Sequence, residues 1–140
     1  MPSTILAFDF GHRRIGVAVG QDITGSASPL GVIRNGESGI DRAHIAALIQ
    51  EWQPATLVVG KPLHADGSES EMTEAADQFA QSLEAYGLPV VLTDERFSSV
   101  EAERQLKEAR AAGQRGRISK EDIDAAAAVT IAERYLAGAG

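Results

Sequence analysis

Short apolar runs alternate with longer amphipathic stretches along the chain, and this pattern predicts a layered domain of strands and helices. Residues 5–8 and 15–19 flank a polar turn and are rich in β-forming residues, which predicts an antiparallel hairpin. Two further short apolar runs, at residues 56–60 and 89–93, are typical of strands buried on both faces of a sheet. Residues 29–34 predict a strand at a sheet edge, because the proline that opens it cannot donate a ladder hydrogen bond.

Apolar residues at helical spacing predict four helices between and after these strands, over residues 40–52, 71–86, 98–112 and 120–137. Pro54 ends the first helix, and Gly87 suits the position that follows the second. Residues 21–28 and 35–39 are polar or glycine-containing and are expected to form a loop and a turn. The later alternation of strands and helices favours an α/β domain with a partly parallel sheet covered on both faces.

Composition narrows the class of protein. A chain of 140 residues, 44% of them hydrophobic, is expected to form one domain over residues 1–140, without a membrane-spanning segment. The absence of cysteine excludes disulfides, thiolate nucleophiles and thiolate metal sites. The chain reaches its first strand without a basic-then-apolar leader, so a cytoplasmic location is expected.

The charge of the chain is unevenly distributed. Its formal net charge of −7 argues against a protein that coats nucleic acid through bulk electrostatics. Residues 104–120, however, include six basic residues and a single acid, Glu108. Such a stretch can contact phosphates locally, and it can equally be a solvated helix face followed by a polar link.

One carboxylate, Asp9, ends the first apolar strand, where a charge without a partner is costly to desolvate. Asp9 either binds a ligand or bonds the backbone of its own turn, and the local sequence leaves both interpretations open. Gly11 is expected to take a positive φ in this turn, which also carries Arg13 and Arg14.

Glu95 is a second acid that can join Asp9, because it follows the apolar strand at residues 89–93. The ligand crevice of open α/β sheets lies outside the carboxyl ends of the parallel strands. If the first strand is parallel to the strand at 89–93, both acids emerge at the same edge of the sheet.

The last predicted helix offers two acids with different roles. Ser119 and Asp122 fit a capping box at its start, which accounts for Asp122. Asp124 heads the apolar stripe of the helix and is therefore expected to point toward the sheet. The residues of that stripe are Ala127, Ala128, Ile131 and Tyr135.

Three converging carboxylates, in a chain without cysteine, suit hard cations such as Mg²⁺ or Mn²⁺. Two such ions about 3.5–4 Å apart can hold a phosphodiester, activate a water and stabilise the leaving oxygen. Because most acids are surface charges, spacing alone leaves a metal site and a set of solvated carboxylates both open.

Four stretches, in order and spacing, resemble motifs of the YqgF family of ribonuclease H-like proteins. They are residues 5–18 (ILAFDFGHRRIGVA), 58–68 (VVGKPLHADGS), 93–102 (TDERFSSVEA) and 123–129 (IDAAAAV). Members of this family are described as Holliday junction resolvases and as nucleases that mature the 5′ end of pre-16S rRNA. The resemblance covers essentially the whole chain.

The resemblance implies a five-stranded mixed sheet, with an antiparallel first hairpin followed by parallel strands and with helices on both faces. It implies two-metal phosphodiester cleavage with Mg²⁺ or Mn²⁺, and it places the catalytic, metal-binding triad on Asp9, Glu95 and Asp124. The chain departs from the family motifs at two places, where Lys61 replaces an apolar residue and residues 97–99 replace Leu-Thr-Thr. Neither departure removes an acid of the triad.

Residues expected to contact substrate lie near the triad or within the basic stretch at residues 104–120; they are Arg14, Lys61, His64, Arg96, Arg115 and Arg117. Lys61 and His64 can alternatively belong to an ordered turn before the next helix. The expected partner is nucleic acid, either pre-rRNA in a ribosomal precursor particle or branched DNA, with no membrane. A monomer or weak dimer is expected. Symmetric cutting of a junction requires two active sites and hence a dimer, but the sequence shows no hydrophobic seam for one, and a monomer suits the processing of single-stranded RNA.

The sequence therefore leaves three functions open. The first is an endonuclease that processes the 5′ end of pre-16S rRNA, and the second is a Holliday junction resolvase. The third is a nucleic-acid-binding processing factor without nuclease activity, which the net charge mildly supports and the intact triad opposes.

Overall fold

The fold is known from a computed structural model, and the structure describes residues 3–37, 39–61, 71–94 and 119–139. The described residues form six strands, which are β1 (Thr4–Asp9), β2 (Arg14–Gln21), β3 (Ser26–Gly36), β4 (Gly39–Ile40), β5 (Thr56–Lys61) and β6 (Val90–Asp94). Their helices are α1 (Arg42–Trp52), α2 (Glu71–Leu83) and α3 (Lys120–Arg134). A 3₁₀ turn (Glu84–Tyr86) follows α2, and a π-helical turn (Tyr135–Ala139) follows α3.

The strands form a mixed sheet in the order β4-β3-β2-β1-β5-β6. β1 and β2 pair as an antiparallel hairpin, and β2 pairs antiparallel to β3. β1 pairs parallel to β5, and β5 pairs parallel to β6. The predicted mixed sheet is confirmed; the sixth strand is β4, which adds two residues opposite Asn35 and Gly36.

The two faces of the sheet bury different kinds of side chain. Large apolar residues on one face pack together and against Ile45 of α1 and Phe79 and Leu83 of α2; those of the sheet are Leu6, Phe8, Ile15, Val17, Ile33, Leu57 and Val59. On the other face Ile5, Ala7 and Val58 pack against Ile131 and Ala132 of α3. Alternation along each strand produces this division, because successive side chains point to opposite faces.

Besides the added strand β4, two elements differ from the sequence prediction, and the first of them, β3, also ends inside the expected turn, at Gly36. β3 begins at Ser26, inside the stretch expected to be a loop, because its ladder with β2 uses backbone groups and does not need apolar side chains. Helix α1 begins at Arg42 and not at residue 40, since Ile40 pairs with Asn35 in β4. The Asp41 carboxylate caps α1 by accepting a hydrogen bond from the His44 N–H at 3.2 Å.

Several local predictions are confirmed. Gly87 takes a left-handed conformation, with φ 79°, after the 3₁₀ turn that extends α2. Ser119 and Asp122 form the complete capping box of α3, with both hydrogen bonds at 3.1 Å. The helix predicted over residues 98–112 lies outside the described residues. None of the helices in the described ranges is long and apolar enough to cross a lipid bilayer.

Candidate active site

The carboxyl ends of three parallel strands meet at one edge of the sheet. Phe8 of β1 is level with Val59 of β5, which is level with Leu92 of β6. Asp9 is the last residue of β1, so its position at this edge follows directly from the register. Glu95 comes immediately after β6 in the chain, and it lies outside the described residues.

Asp9 lies on the face of the sheet that α3 covers. It shares the alternation of Ile5 and Ala7, both of which pack against the residues of α3. Its residue is half-buried, so the carboxylate stands at the border between the packed face and solvent. This position suits a group that must hold a ligand and still admit substrate.

Helix α3 approaches the sheet closely at Gly16, which is the cross-strand partner of Asp9. A β-carbon at Gly16 would collide with the backbone carbonyl of Asp124, and it would lie 3.2 Å from the Ala125 nitrogen. The glycine therefore allows the first turns of α3 to rest on β2. This contact brings Asp124 beside the strand pair that carries Asp9.

Arg14 joins the hairpin to α3 through the side chain of Asp124. Its Nε donates to Asp124 Oδ2 at 2.6 Å, an ion pair between residues 110 positions apart in sequence. The side chains are 30% and 27% exposed, so the pair orients the carboxylate more than it stabilises the fold. The Arg14 Nη groups have no partner within the described part of the chain.

Asn35 of β3 fixes the turn between Asp9 and Arg14. Its side-chain amide donates to the Gly11 carbonyl at 2.6 Å, and its backbone N–H donates to the Arg13 carbonyl at 3.0 Å. The predicted positive φ at Gly11 is wrong. Glycine is needed there because a β-carbon would lie 2.6 Å from the Arg14 carbonyl in this tight turn.

Sequence reasoning missed Gly16 and Asn35. The run of small residues at alternate positions of β2 was a usable signal for Gly16, since it marks a face that another element approaches closely. No local signal identifies Asn35, because its side-chain partner lies 24 residues earlier in the chain.

The remaining predicted site residues divide into one described residue and five outside the described ranges. Lys61 ends β5 at the same edge as Asp9, where its backbone is in register with Asp94 of β6. The residues outside the described ranges are His64, Glu95, Arg96, Arg115 and Arg117. Within the described ranges, no three acidic or histidine residues form a cluster that could hold a metal ion.

Comparison with known proteins identifies the family of this chain. Residues 3–138 match the family model described as "RuvX: Holliday junction resolvase". The chain belongs to the RuvX family. This result confirms the resemblance predicted from the four motifs and, at the level of the family, the predicted nuclease class.

The names of similar proteins agree with this assignment. Proteins of Burkholderia lata and Burkholderia cenocepacia, each named "Putative pre-16S rRNA nuclease", are 47% and 45% identical over 139 residues. Each alignment covers 96% of this chain and 89% of the relative.

The fold is similar to that of known resolvases. Thermus thermophilus RuvC, solved with a Holliday junction substrate, is 14% identical with a TM-score of 0.57, covering 97% of this chain and 94% of that one. The yeast mitochondrial Holliday junction resolvase Ydc2 is 13% identical with a TM-score of 0.53, covering 94% and 77%. These matches confirm the ribonuclease H-like fold of the RuvX member described here.

Proposed function

We propose that this RuvX protein is a divalent-metal-dependent endonuclease that processes the 5′ end of pre-16S rRNA. The observation that carries the proposal is the position of Asp124, near the end of the chain, against Gly16, which is the cross-strand partner of Asp9. The ion pair with Arg14 holds the Asp124 side chain beside the same hairpin. The shared name of the relatives favours pre-rRNA as the substrate.

The residues at this edge fit a hard divalent cation such as Mg²⁺ or Mn²⁺. Asp9 and Asp124 contribute carboxylate oxygens, the donors that these ions prefer. Both residues are half-buried, which leaves a path for an ion and a substrate. Glu95 would be the third ligand, because β6 ends at this edge one residue before it.

When bound, the metal would activate a water for attack on phosphorus and neutralise charge on the departing oxygen. The chain's own residues supply the frame for this chemistry. Asp9 is held by the β1–β2 hairpin, and Asp124 is oriented by the Arg14 Nε–H. The Arg14 Nη groups would bind a phosphate oxygen of the substrate and stabilise its developing charge.

The other proposed substrate contacts extend the site along the same edge. Lys61 would bind a backbone phosphate beside β5, with His64 in the segment that follows. Arg96 would contact the substrate next to Glu95. Residues 110–120, which include Arg115 and Arg117, would bind phosphates near the start of α3. Together they would form a local positive path on an acidic protein.

A second candidate function is resolution of Holliday junctions. The description of the family and the fold match to a junction-bound RuvC favour it. Symmetric resolution requires two active sites and hence a dimer. A single domain over residues 1–140 acting as a monomer would suit the cleavage of one RNA strand.

The test compares the wild-type protein with Asp9→Asn on two substrates, a pre-16S rRNA 5′ leader and a four-way DNA junction, with Mg²⁺ or Mn²⁺. Loss of a charged metal ligand should reduce cleavage by at least about 10³-fold, because the transition-state charge loses its largest stabilising term. Circular dichroism should show an unchanged fold.

Asp122→Asn is the matched control, since Asp122 lies on the same helix turn as Asp124 but serves the capping box. It should cleave at close to the wild-type rate. Cleavage by Asp9→Asn at the wild-type rate would refute the assignment of the site. Binding without cleavage by the wild-type protein would favour a non-catalytic processing factor.

A further inference from the structure

An open cavity of about 270 Å³ lies on the outer side of the hairpin turn, beyond the candidate active site. It is lined by Arg13, Arg34, Asn35, Gly36, Glu37 and Gly39, and we call it the outer arginine site. Arg13 belongs to the β1–β2 turn and Arg34 to β3. The two segments are tied together by the hydrogen bond from the Asn35 N–H to the Arg13 carbonyl.

Within the described ranges, the arginine side chains of the outer arginine site make no ion pair, and Glu37 is the acid that lines the cavity. Arg34 is the cross-strand partner of Arg14, and like charges placed directly opposite each other on a sheet are destabilising. Asp124 compensates Arg14, whereas the Arg34 side chain has no hydrogen bond or ion pair within the described ranges. The same is true of the exposed side chains of Arg13 and Glu37 in that part of the chain.

The outer arginine site also lies beside the candidate active site, one strand further across the sheet. Arg34 lies on the same face as Arg14, one strand further from Asp9, because paired residues of antiparallel strands share a face. Strands are spaced about 4.8 Å apart, so β3 lies roughly 10 Å from β1. A phosphate bound at Arg34 would therefore belong to a nucleotide beyond the one being cleaved.

We propose that the outer arginine site binds a backbone phosphodiester of the nucleic acid substrate, next to the scissile position, through the guanidinium groups of Arg13 and Arg34. This inference rests on the proposed function for its substrate. Guanidinium groups suit phosphate oxygens because they present donors in a planar fork. Glu37 lowers the positive charge of the site and moderates its affinity.

The test is equilibrium binding at several salt concentrations, in the Asp9→Asn background and with EDTA so that cleavage does not consume the ligand. The two ligands are a single-stranded RNA and an immobile four-way DNA junction. Each lost phosphate contact should flatten the slope of log K against log salt by about 0.7 on the RNA and about 0.9 on duplex arms. Arg34→Gln should flatten the slope by the amount expected for one phosphate contact, and the double variant Arg13→Gln/Arg34→Gln should flatten it by about twice that amount.

Two controls sharpen the test. Glu37→Gln should tighten binding, because it removes the acid that lines the same cavity. Arg134→Gln removes an equal charge ten residues after Asp124 on α3, roughly 15 Å along the helix, and should leave the salt slope unchanged. Thermal unfolding should show that Arg34→Gln folds, since the exposed Arg34 side chain makes no hydrogen bond or ion pair in the described ranges.

The outcomes separate the inference from the function on which it rests. A flattened slope on the RNA alone or on the junction alone supports the outer arginine site and identifies its ligand. An unchanged slope and affinity for the double variant on both ligands would overturn the inference, even if the wild-type protein cleaves RNA. Failure of the wild-type protein to cleave either substrate, with the slope changes intact, would instead refute only the proposed function.

Discussion

The two faces of the central sheet are built from the same strands but with side chains of very different size. On β2, Ile15, Val17 and Val19 pack into the large apolar cluster beneath α1 and α2. The alternate residues, Gly16, Ala18 and Gly20, face α3. One strand therefore supports a thick hydrophobic layer on one side and a close helix contact on the other.

The two faces therefore have different roles: one contributes most of the stability, and the other sets the geometry of the site. The bulky face removes large apolar side chains from water, which is the main favourable contribution to folding. The small-residue face buries less area per residue, but it allows α3 to rest on the backbone of β2 at Gly16. That close contact places Asp124 within reach of Arg14.

The largest expected effect on stability comes from the bulky face. Leu57 of β5 is completely buried in the large cluster, so Leu57→Ala should lower the free energy of unfolding by about 2–5 kcal/mol through lost burial and the cavity that remains. Urea denaturation should show a lower midpoint with an unchanged slope. Cleavage per folded molecule should stay near the wild-type rate, and a large loss of that rate would contradict the separation of the two faces.

A smaller loss of stability, with a larger loss of activity, is expected at Gly16. Gly16→Ala forces a methyl group against the Asp124 carbonyl, which should cost about 1–3 kcal/mol and displace the start of α3. Because misplacement by about 1 Å can cost roughly 10²-fold in rate, cleavage should fall by that order. Activity assays corrected for the folded fraction measure this effect.

Val17→Ala is the matched control for Gly16→Ala, because Val17 is the next residue on β2 and faces the opposite cluster. It should cost about 2–3 kcal/mol, from two deleted methyl groups and a small cavity, with cleavage largely retained. Equal losses of cleavage in the two variants would show that the faces do not have separate roles.

The smallest expected effect comes from the start of α3. Ser119→Ala removes the side-chain acceptor for the Asp122 N–H and should lower stability by about 1 kcal/mol. Cleavage should change little, because Gly16 and Arg14 hold Asp124 independently of the cap. A loss of cleavage as large as that in Gly16→Ala would show that the cap, and not the contact with β2, positions Asp124.

Much of the fold could be predicted because it depends on interactions between neighbours in sequence. The alternation of β1 and β2, the capping box at Ser119 and the left-handed Gly87 all follow from short stretches of sequence. The apolar stripe headed by Asp124 was also readable, and its residues Ala127, Ala128 and Ile131 are buried as expected. The polar start of β3 was not readable, since backbone pairing with β2 decides it.

The sequence by itself determined most of the strands and helices, and it separated Asp122, which caps α3, from Asp124. Only the tertiary structure decided how those elements meet. The pairing of Arg14 with Asp124, the helix contact at Gly16 and the support of the turn by Asn35 join segments far apart in the chain. The sequence pattern reports the face on which a side chain lies, whereas the partner on that face depends on the register and crossing of elements that only the folded chain brings together.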